Sequence, residues 1–190
     1  MIITICGSPG SGKDTVANLL LEKILNQGKK YEMLSIGDLR RIAASEKNMT
    51  LEQFNEWSTK NPKEGDEYFD DFQREHAKKT SDFILVSRLG WYLIPHSYKI
   101  YVDVDPYEGA RRIYNQKLKD KNKRNEYDCK SIEEQVKVNS ERTQSDITRY
   151  MALYNANPYN LKNHDLIINS TKKTPNEVVI EIFEKIQKDL

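Results

Sequence analysis

Cysteine is nearly absent from this chain of 190 residues, and histidine is almost as scarce. The two cysteines, Cys6 and Cys129, lie far apart, the first inside an apolar run. That excludes a disulfide framework and a zinc pattern and fits a reducing compartment. His76, His96 and His164 show no metal-ligand spacing and read as structural or surface residues. Neither sign of charge dominates, since 30 Lys plus Arg face 29 Asp plus Glu. The whole-chain field therefore favours neither nucleic acid nor a membrane surface as partner, and any basic function must be local. No apolar run approaches membrane-spanning length, and the opening MIITIC has neither the basic flank nor the long apolar core of a secretory leader. A cytoplasmic monomer is the expectation. No low-complexity tract or composition shift marks a linker, so residues 1–190 are expected to form one domain around one core.

What the chain does have is an alternation of strand and helix signals, the pattern of an α/β domain with a mainly parallel sheet. Short β-branched or apolar runs predict strands at 1–6, 31–36, 83–86, 98–104 and 165–169. Val16, Leu19, Leu20 and Ile24 recur at helical spacing and stop near Gly28. Gly37-Asp38 reads as a polar turn before a helix carrying Leu39, Ile42 and Ala43. Thr50-Leu51-Glu52-Gln53 is a capping box, with Met49 placed to staple onto Phe54, and Asn61-Pro62 closes that helix. A longer helix is expected from about 64 to 79. Asp105-Pro106 starts another, and Ser131-Ile132-Glu133-Glu134 is a further capping box. Thr174-Pro175-Asn176-Glu177 opens the last helix, whose stripe is Val178, Val179, Ile182, Phe183 and Ile186. Between helices, KLKDKNKRNEYDCK over 117–130 has almost nothing to bury and reads as a surface segment.

The stretch GSPGSGKDT follows the first strand and opens the first helix. Glycines at its first and sixth positions, Gly7 and Gly12, let the backbone turn its amides around phosphate oxygens. Lys13 follows to reach the β- and γ-phosphates, and the helix start adds its own N-terminal amides. Gly7, Ser8, Pro9, Gly10, Ser11, Gly12, Lys13, Asp14 and Thr15 are therefore expected to hold the phosphates of ATP. Such a loop does not by itself name a reaction.

Over most of its length the chain resembles the nucleoside monophosphate kinases, in particular the short archaeal-type cytidylate kinases. The matching blocks, in order, are GSPGSGKDT, SIGDLRR, the helix ending DDFQ, SRLGWYLIPHS, ARRI, ERTQSDITRY and HDLIINST. The resemblance implies a P-loop NTPase fold: a five-stranded parallel sheet flanked by helices, acceptor-binding helices over about 37–80 and a lid over about 113–131. Carried over residue by residue, it assigns Asp38 and Arg41 to an acceptor nucleotide, with Arg41 and Arg88 on its phosphate. Guanidinium groups suit that task, because bidentate contacts offset the repulsion between two phosphates brought together. Asp70 and Gln73 match positions near the acceptor. Arg142, Asp146 and Arg149 share a helical face, and the resemblance gives Arg142 and Asp146 roles toward the acceptor or the transferring group. Arg112 and the basic run of Lys117, Lys119, Lys121, Lys123 and Arg124 fall where such kinases carry the lid, with Arg112 and Arg124 the expected catalytic arginines beside Lys13, Arg88 and Arg142.

Two departures from the family pattern concern one ion. Asp14 stands where Ser or Thr normally follows the lysine, and Val86 stands in place of the acid usual near the end of the third strand, with Ser87 where a glycine is usual. A carboxylate is a good hard ligand for magnesium, so Asp14 is the expected metal residue and ATP with Mg²⁺ the expected cofactors. The expectation is ATP-dependent phosphorylation of a nucleoside monophosphate, CMP or dCMP first, with UMP, AMP or another deoxynucleotide as rival acceptors. A catalytically silent nucleotide-binding protein is the rival of another class.

Overall fold

The computed structural model describes residues 1–119 and 128–190. Its centre is one sheet of five strands, β1 (Ile2–Gly7), β2 (Glu32–Ser35), β3 (Phe83–Val86), β4 (Tyr98–Asp103) and β5 (Leu166–Asn169), in the order β2-β3-β1-β4-β5. Every neighbouring pair is parallel, with Ile5 opposite Val86 on one side of β1 and Ile100 on the other. β1 is buried along its whole length, as a central parallel strand must be. Its alternate residues serve two cores. Ile3 and Ile5 pack with Ile84, Val86, Ile100 and Val102 under α1 (Lys13–Leu25) and α8 (Pro175–Ile186). Ile2, Phe83 and Leu85 face the opposite layer.

That second layer holds α2 (Ile36–Glu46), α3 (Leu51–Lys60), α4 (Asp66–Lys79) and the single turn α5 (Gly90–Leu93). Phe54 of α3 and Phe69 of α4 meet edge to ring at 6.1 Å, and Tyr150 joins them from the long helix α7 (Ile132–Tyr154). The remaining helix, α6 (Pro106–Lys119), leaves the C-terminal end of β4 and packs along α7. The strands thus deliver β1, β3, β4 and β5 to one rim, where open α/β sheets bind ligands.

Capping explains most boundaries. Thr50 and Thr174 each form both halves of a capping box, and Asp105 Oδ1 accepts from the Tyr107 and Glu108 amides, both at 3.0 Å, to start α6. Two boundaries differ from expectation. Gly37-Asp38 is not a turn: the Ser35 hydroxyl accepts from the Asp38 amide at 3.3 Å, so α2 begins at Ile36 and both residues lie in its first turn. At α7, Ser131 accepts from the Glu134 amide, but the Glu134 carboxylate takes the Lys130 amide at 2.6 Å, leaving half a capping box. Lys117 and Lys119 are the end of α6, while Lys121, Lys123 and Arg124 of the expected lid lie outside the described residues.

Candidate active site

The loop after β1 is shaped by glycines at two points that no other residue fits. Gly10 has φ +78°, and a Cβ there would stand 2.1 Å from the carbonyl oxygen of Gly109 in α6. Gly109 reciprocates, since its own Cβ would fall 2.5 Å from the Pro9 carbonyl. Loop and helix therefore touch backbone to backbone. Gly12, at φ +81°, precedes α1 without any side-chain cap, and nothing lies within 4 Å of where its Cβ would be. That open space, bounded by uncapped helix amides, has the character of an anion cradle.

Behind the cradle a set of polar contacts fixes the loop. Ser8 Oγ donates to Asp103 Oδ1 at 2.6 Å and lies 3.1 Å from the Tyr101 hydroxyl. Ser170, just past β5, donates from its hydroxyl to the Ser11 and Asp103 carbonyls at 3.0 and 2.9 Å. Arg112 of α6 reaches the same place. Its guanidinium donates to Glu108 Oε1, Ser170 Oγ and the carbonyls of Ser170 and Thr171. Hydrogen bonds from Arg111 and then Arg112 pull the Glu108 carboxyl down to about 2. Arg112 is thus a clamp between α6 and the loop after β5. Those four acceptors hold Arg112 in place, and its side chain also borders the open space over the loop.

A cleft of about 520 Å³ opens over the loop. Gly7, the run from Pro9 to Thr15, Arg41, Arg88, Arg142 and Tyr159 line it together with Glu108, Arg112, Ser170 and Lys173. Ser8 is turned away from it toward Asp103. A smaller cavity of about 40 Å³ adjoins it, lined by Ile36, Arg40, Phe69, Asp70, Gln73, Val86, Ser87 and Tyr150. Lys13, Asp14, Arg41, Arg88 and Arg142 border both spaces. Four cations from α1, α2, the end of β3 and α7 therefore meet at one shared wall. Asp38, 63% exposed, pairs with Arg41 at 2.7 Å on the outer side of that wall.

In the smaller cavity, Gln73 Nε2 donates to the Phe69 carbonyl and to Asp70 Oδ1, which fixes its amide and turns Oε1 away from both. Gln73 Oε1 and Asp70 Oδ2 are buried without a hydrogen bond of ordinary geometry, with the Tyr154 hydroxyl near the Asp70 carboxyl. Burial pushes the Asp70 carboxyl up from 3.8 to about 6. Two unsatisfied acceptors at the edge of a cavity are a strong request for a donor.

Asp146 is placed differently from expectation. It is buried and borders neither space. Its Oδ2 pairs with Arg88 Nε and accepts from the Tyr159 hydroxyl at 2.8 Å, while Oδ1 accepts from Arg149 at 2.8 Å. Burial alone would raise its carboxyl, but Arg88 and then Arg149 outweigh it and hold it below the ordinary value. Asp146 stands behind Arg88 as its holder, with its two oxygens engaged by Arg88, Tyr159 and Arg149.

Comparison with known proteins agrees with this geometry. The model of a family described as AAA domain matches residues 3–136. Over 186 residues the chain is 33% identical to a cytidylate kinase of Archaeoglobus fulgidus, covering 97% of this chain and 93% of that one. Over 190 residues it is 33% identical to a cytidylate kinase of Methanococcus maripaludis, covering 97% and 96%. This chain belongs to the P-loop nucleoside monophosphate kinase family. For this kinase the fold has a further match in the crystal structure of shikimate kinase from Bacteroides thetaiotaomicron, with TM-score 0.59 at 14% identity over 98% of both chains.

The residues of this kinase suit the groups its family implies. The Gly12 cradle suits a phosphate. Asp14 offers a half-exposed carboxylate with the Ser35 hydroxyl 3.4 Å away, hard oxygens of the kind magnesium takes alongside substrate phosphates, and Lys13 Nζ pairs with the same carboxylate at 3.4 Å. Among the described residues, no cluster of three or more His, Cys, Asp or Glu forms a self-sufficient metal cage, and no helix is long and apolar enough to cross a membrane. Sequence reasoning missed Arg40, Gly109, Tyr159 and Ser170. A glycine inside a predicted helix was the one available signal, at Gly109, since such a residue marks a close approach.

Proposed function

We propose that this protein transfers the γ-phosphoryl group of ATP to a nucleoside monophosphate, CMP or dCMP before others. One observation carries the reading: the wall shared by the two spaces is made of Lys13, Arg41, Arg88 and Arg142, with Asp14 among them. Such a wall is suited to bring two phosphates together. In this reading the large cleft takes the donor and the smaller cavity the base of the acceptor. The oxygens of Asp70 and Gln73 support cytosine, whose exocyclic amino group would answer them, over uracil, which presents a carbonyl there.

The chemistry asked of the side chains is positioning and charge neutralisation. Lys13 and the loop amides hold the donor phosphates, while Arg41, Arg88 and Arg142 orient the acceptor phosphate for in-line attack. No protein base is needed, because a nucleotide phosphate, with a second pKa of about 6, is already largely ionised near neutral pH. Asp14 would hold magnesium, which would supply divalent positive charge to offset the donor phosphates. Arg112 borders the donor cleft and also keeps α6 and the loop after β5 closed on the phosphate loop.

The test is ADP formation with ATP and magnesium across a panel of nucleoside monophosphates, with Lys13→Ala as the blank. Selective turnover of CMP or dCMP is expected. Turnover of UMP or AMP in preference would overturn the base assignment. ATP binding without turnover of any acceptor would favour the rival reading, a nucleotide-binding protein silenced by the departures at Asp14 and Val86.

A further inference from the structure

Behind Arg88 runs a buried chain of alternating charges that ends on the opposite layer of the protein. Arg88 Nε meets Asp146 Oδ2, and Asp146 Oδ1 meets Arg149 at 2.8 Å. Arg149 Nε lies 3.0 Å from Asp66 Oδ2, an ion pair in which the N–H is not aimed at the oxygen. Asp66 Oδ1 accepts from Arg40 at 2.8 Å, and Arg40 also donates to Asn55 and Ser58. The links come from β3, α7, α4, α2 and α3 in turn. Asp66 is fully buried and Arg149 is 5% exposed, and neither borders either space.

Such burial is costly, and replacing buried ion pairs by apolar residues is often neutral or stabilising. Stability alone therefore does not account for five linked ionic side chains. Three guanidinium groups against two carboxylates leave one positive charge over, and only the two ends of the chain, Arg88 and Arg40, open onto the cavities. An anion at Arg88 would complete the alternation. Hydrogen bonding on its Nε edge also fixes Arg88 in one rotamer, with its terminal nitrogens lacking any acceptor among the described residues.

We propose that Asp66 and Arg149 are positioning residues: through Asp146 they set Arg88 in the register that receives the acceptor phosphate, and they couple that phosphate to α2, α3 and α4. The inference rests on the reading of Arg88 given above and adds two residues that touch no substrate. Because coupling is reciprocal, phosphate at Arg88 tightens the Arg149 contacts, and loosening Arg149 weakens phosphate binding.

The experiment is nitrogen-15 NMR of the guanidinium Nε–H groups in the intact protein, with inorganic phosphate as the probe and Arg88→Lys and Arg149→Lys supplying the assignments. Phosphate is expected to slow exchange of both the Arg88 and the Arg149 Nε–H by about tenfold or more in the wild-type protein. A response at Arg88 with none at Arg149 would overturn the proposal without recourse to any variant. In Arg149→Lys and Asp66→Asn, the acceptor KM should rise about tenfold while the ATP KM moves less than about twofold. A parallel rise in both would mean a merely structural role. Absence of turnover in the panel would sink the kinase reading alone, since the phosphate titration does not depend on it.

Discussion

Replacing Asp70 by Asn should make the protein more stable and less discriminating at once. Asp70 is 3% exposed, and burial raises its carboxyl from 3.8 to about 6. A hydrogen bond from Tyr154, then Arg40 and Arg74, favours the charged form and Asp66 opposes it, and all of these are already contained in that shift. At about 1.4 kcal/mol per unit, a shift of about two units corresponds to about 3 kcal/mol, taken as an upper bound. The sign follows from the folded pKa being the higher one. Proton binding by Asp70 contributes stability that is fully present below 3.8 and is lost as pH rises through about 6, so above that the ionised carboxylate is a net cost. Asparagine cannot ionise and escapes the cost. Urea unfolding should show Asp70→Asn more stable by about 2 to 3 kcal/mol at about pH 8, with the gain fading to nothing by about pH 4. The same change puts an amide donor where an amino group is expected to bind, so kcat/KM with CMP should fall about 10- to 100-fold. A variant less stable than its parent at about pH 8, or a gain that ignores pH, would refute the argument.

Two further outcomes are expected at the donor end. Gly109→Ala places a Cβ 2.5 Å from the Pro9 carbonyl and 2.9 Å from Val104 Cγ1; overpacking of this kind costs about 1 to 3 kcal/mol. The strain falls on the phosphate loop, so calorimetry should show the ATP Kd rising about tenfold, and an unchanged Kd would mean the loop moves freely away from α6. Asp14→Ala should bind ATP more tightly than the wild-type protein in excess chelator and gain less from added magnesium. Equal affinities under chelation would remove Asp14 from the metal chemistry.

The parallel sheet and the phosphate loop were legible in the sequence because their signals are local. A β-branched run, a glycine-rich turn and an amphipathic stripe each lie within a few residues, and Thr50 and Thr174 mark their helices by spacing alone. The site was legible only where a residue's position along its element fixes the direction it faces, as for Arg88 at the end of β3. Helical spacing put Arg142, Asp146 and Arg149 on one face, but it does not name the partner opposite. Asp146 turns out to face Arg88 and Tyr159, which arrive from β3 and from the loop after α7. Gly109, Ser170 and Asp66 act through contacts with chain far away in sequence, so no window of the sequence contains both halves of the interaction. Gly37-Asp38 was misread as a turn for the opposite reason: the cap at Ser35 is local, but the strand signal before it masked the helix start.

Asp14 and Val86 make one arrangement. Val86 packs with Ile5, Val16 and Ile84 and also borders the smaller cavity, where it brings no oxygen for a cation. In this chain the carboxylate instead occupies the first turn of α1, where the helix dipole favours negative charge and the Ser35 hydroxyl stands by. Its cost appears only when ATP arrives. A unit charge about 4 Å from a phosphate charge is repelled by about 4 kcal/mol at an effective dielectric of about 20. That is roughly a thousandfold in affinity for a triphosphate with no cation between them. A hydroxyl in the same position would impose no such penalty. On the proposed reading, the carboxylate makes the loop a poor site for bare ATP and, with the cation in place, a better one. That asymmetry is why the chelator experiment, more than turnover alone, separates a relocated metal site from a lost one.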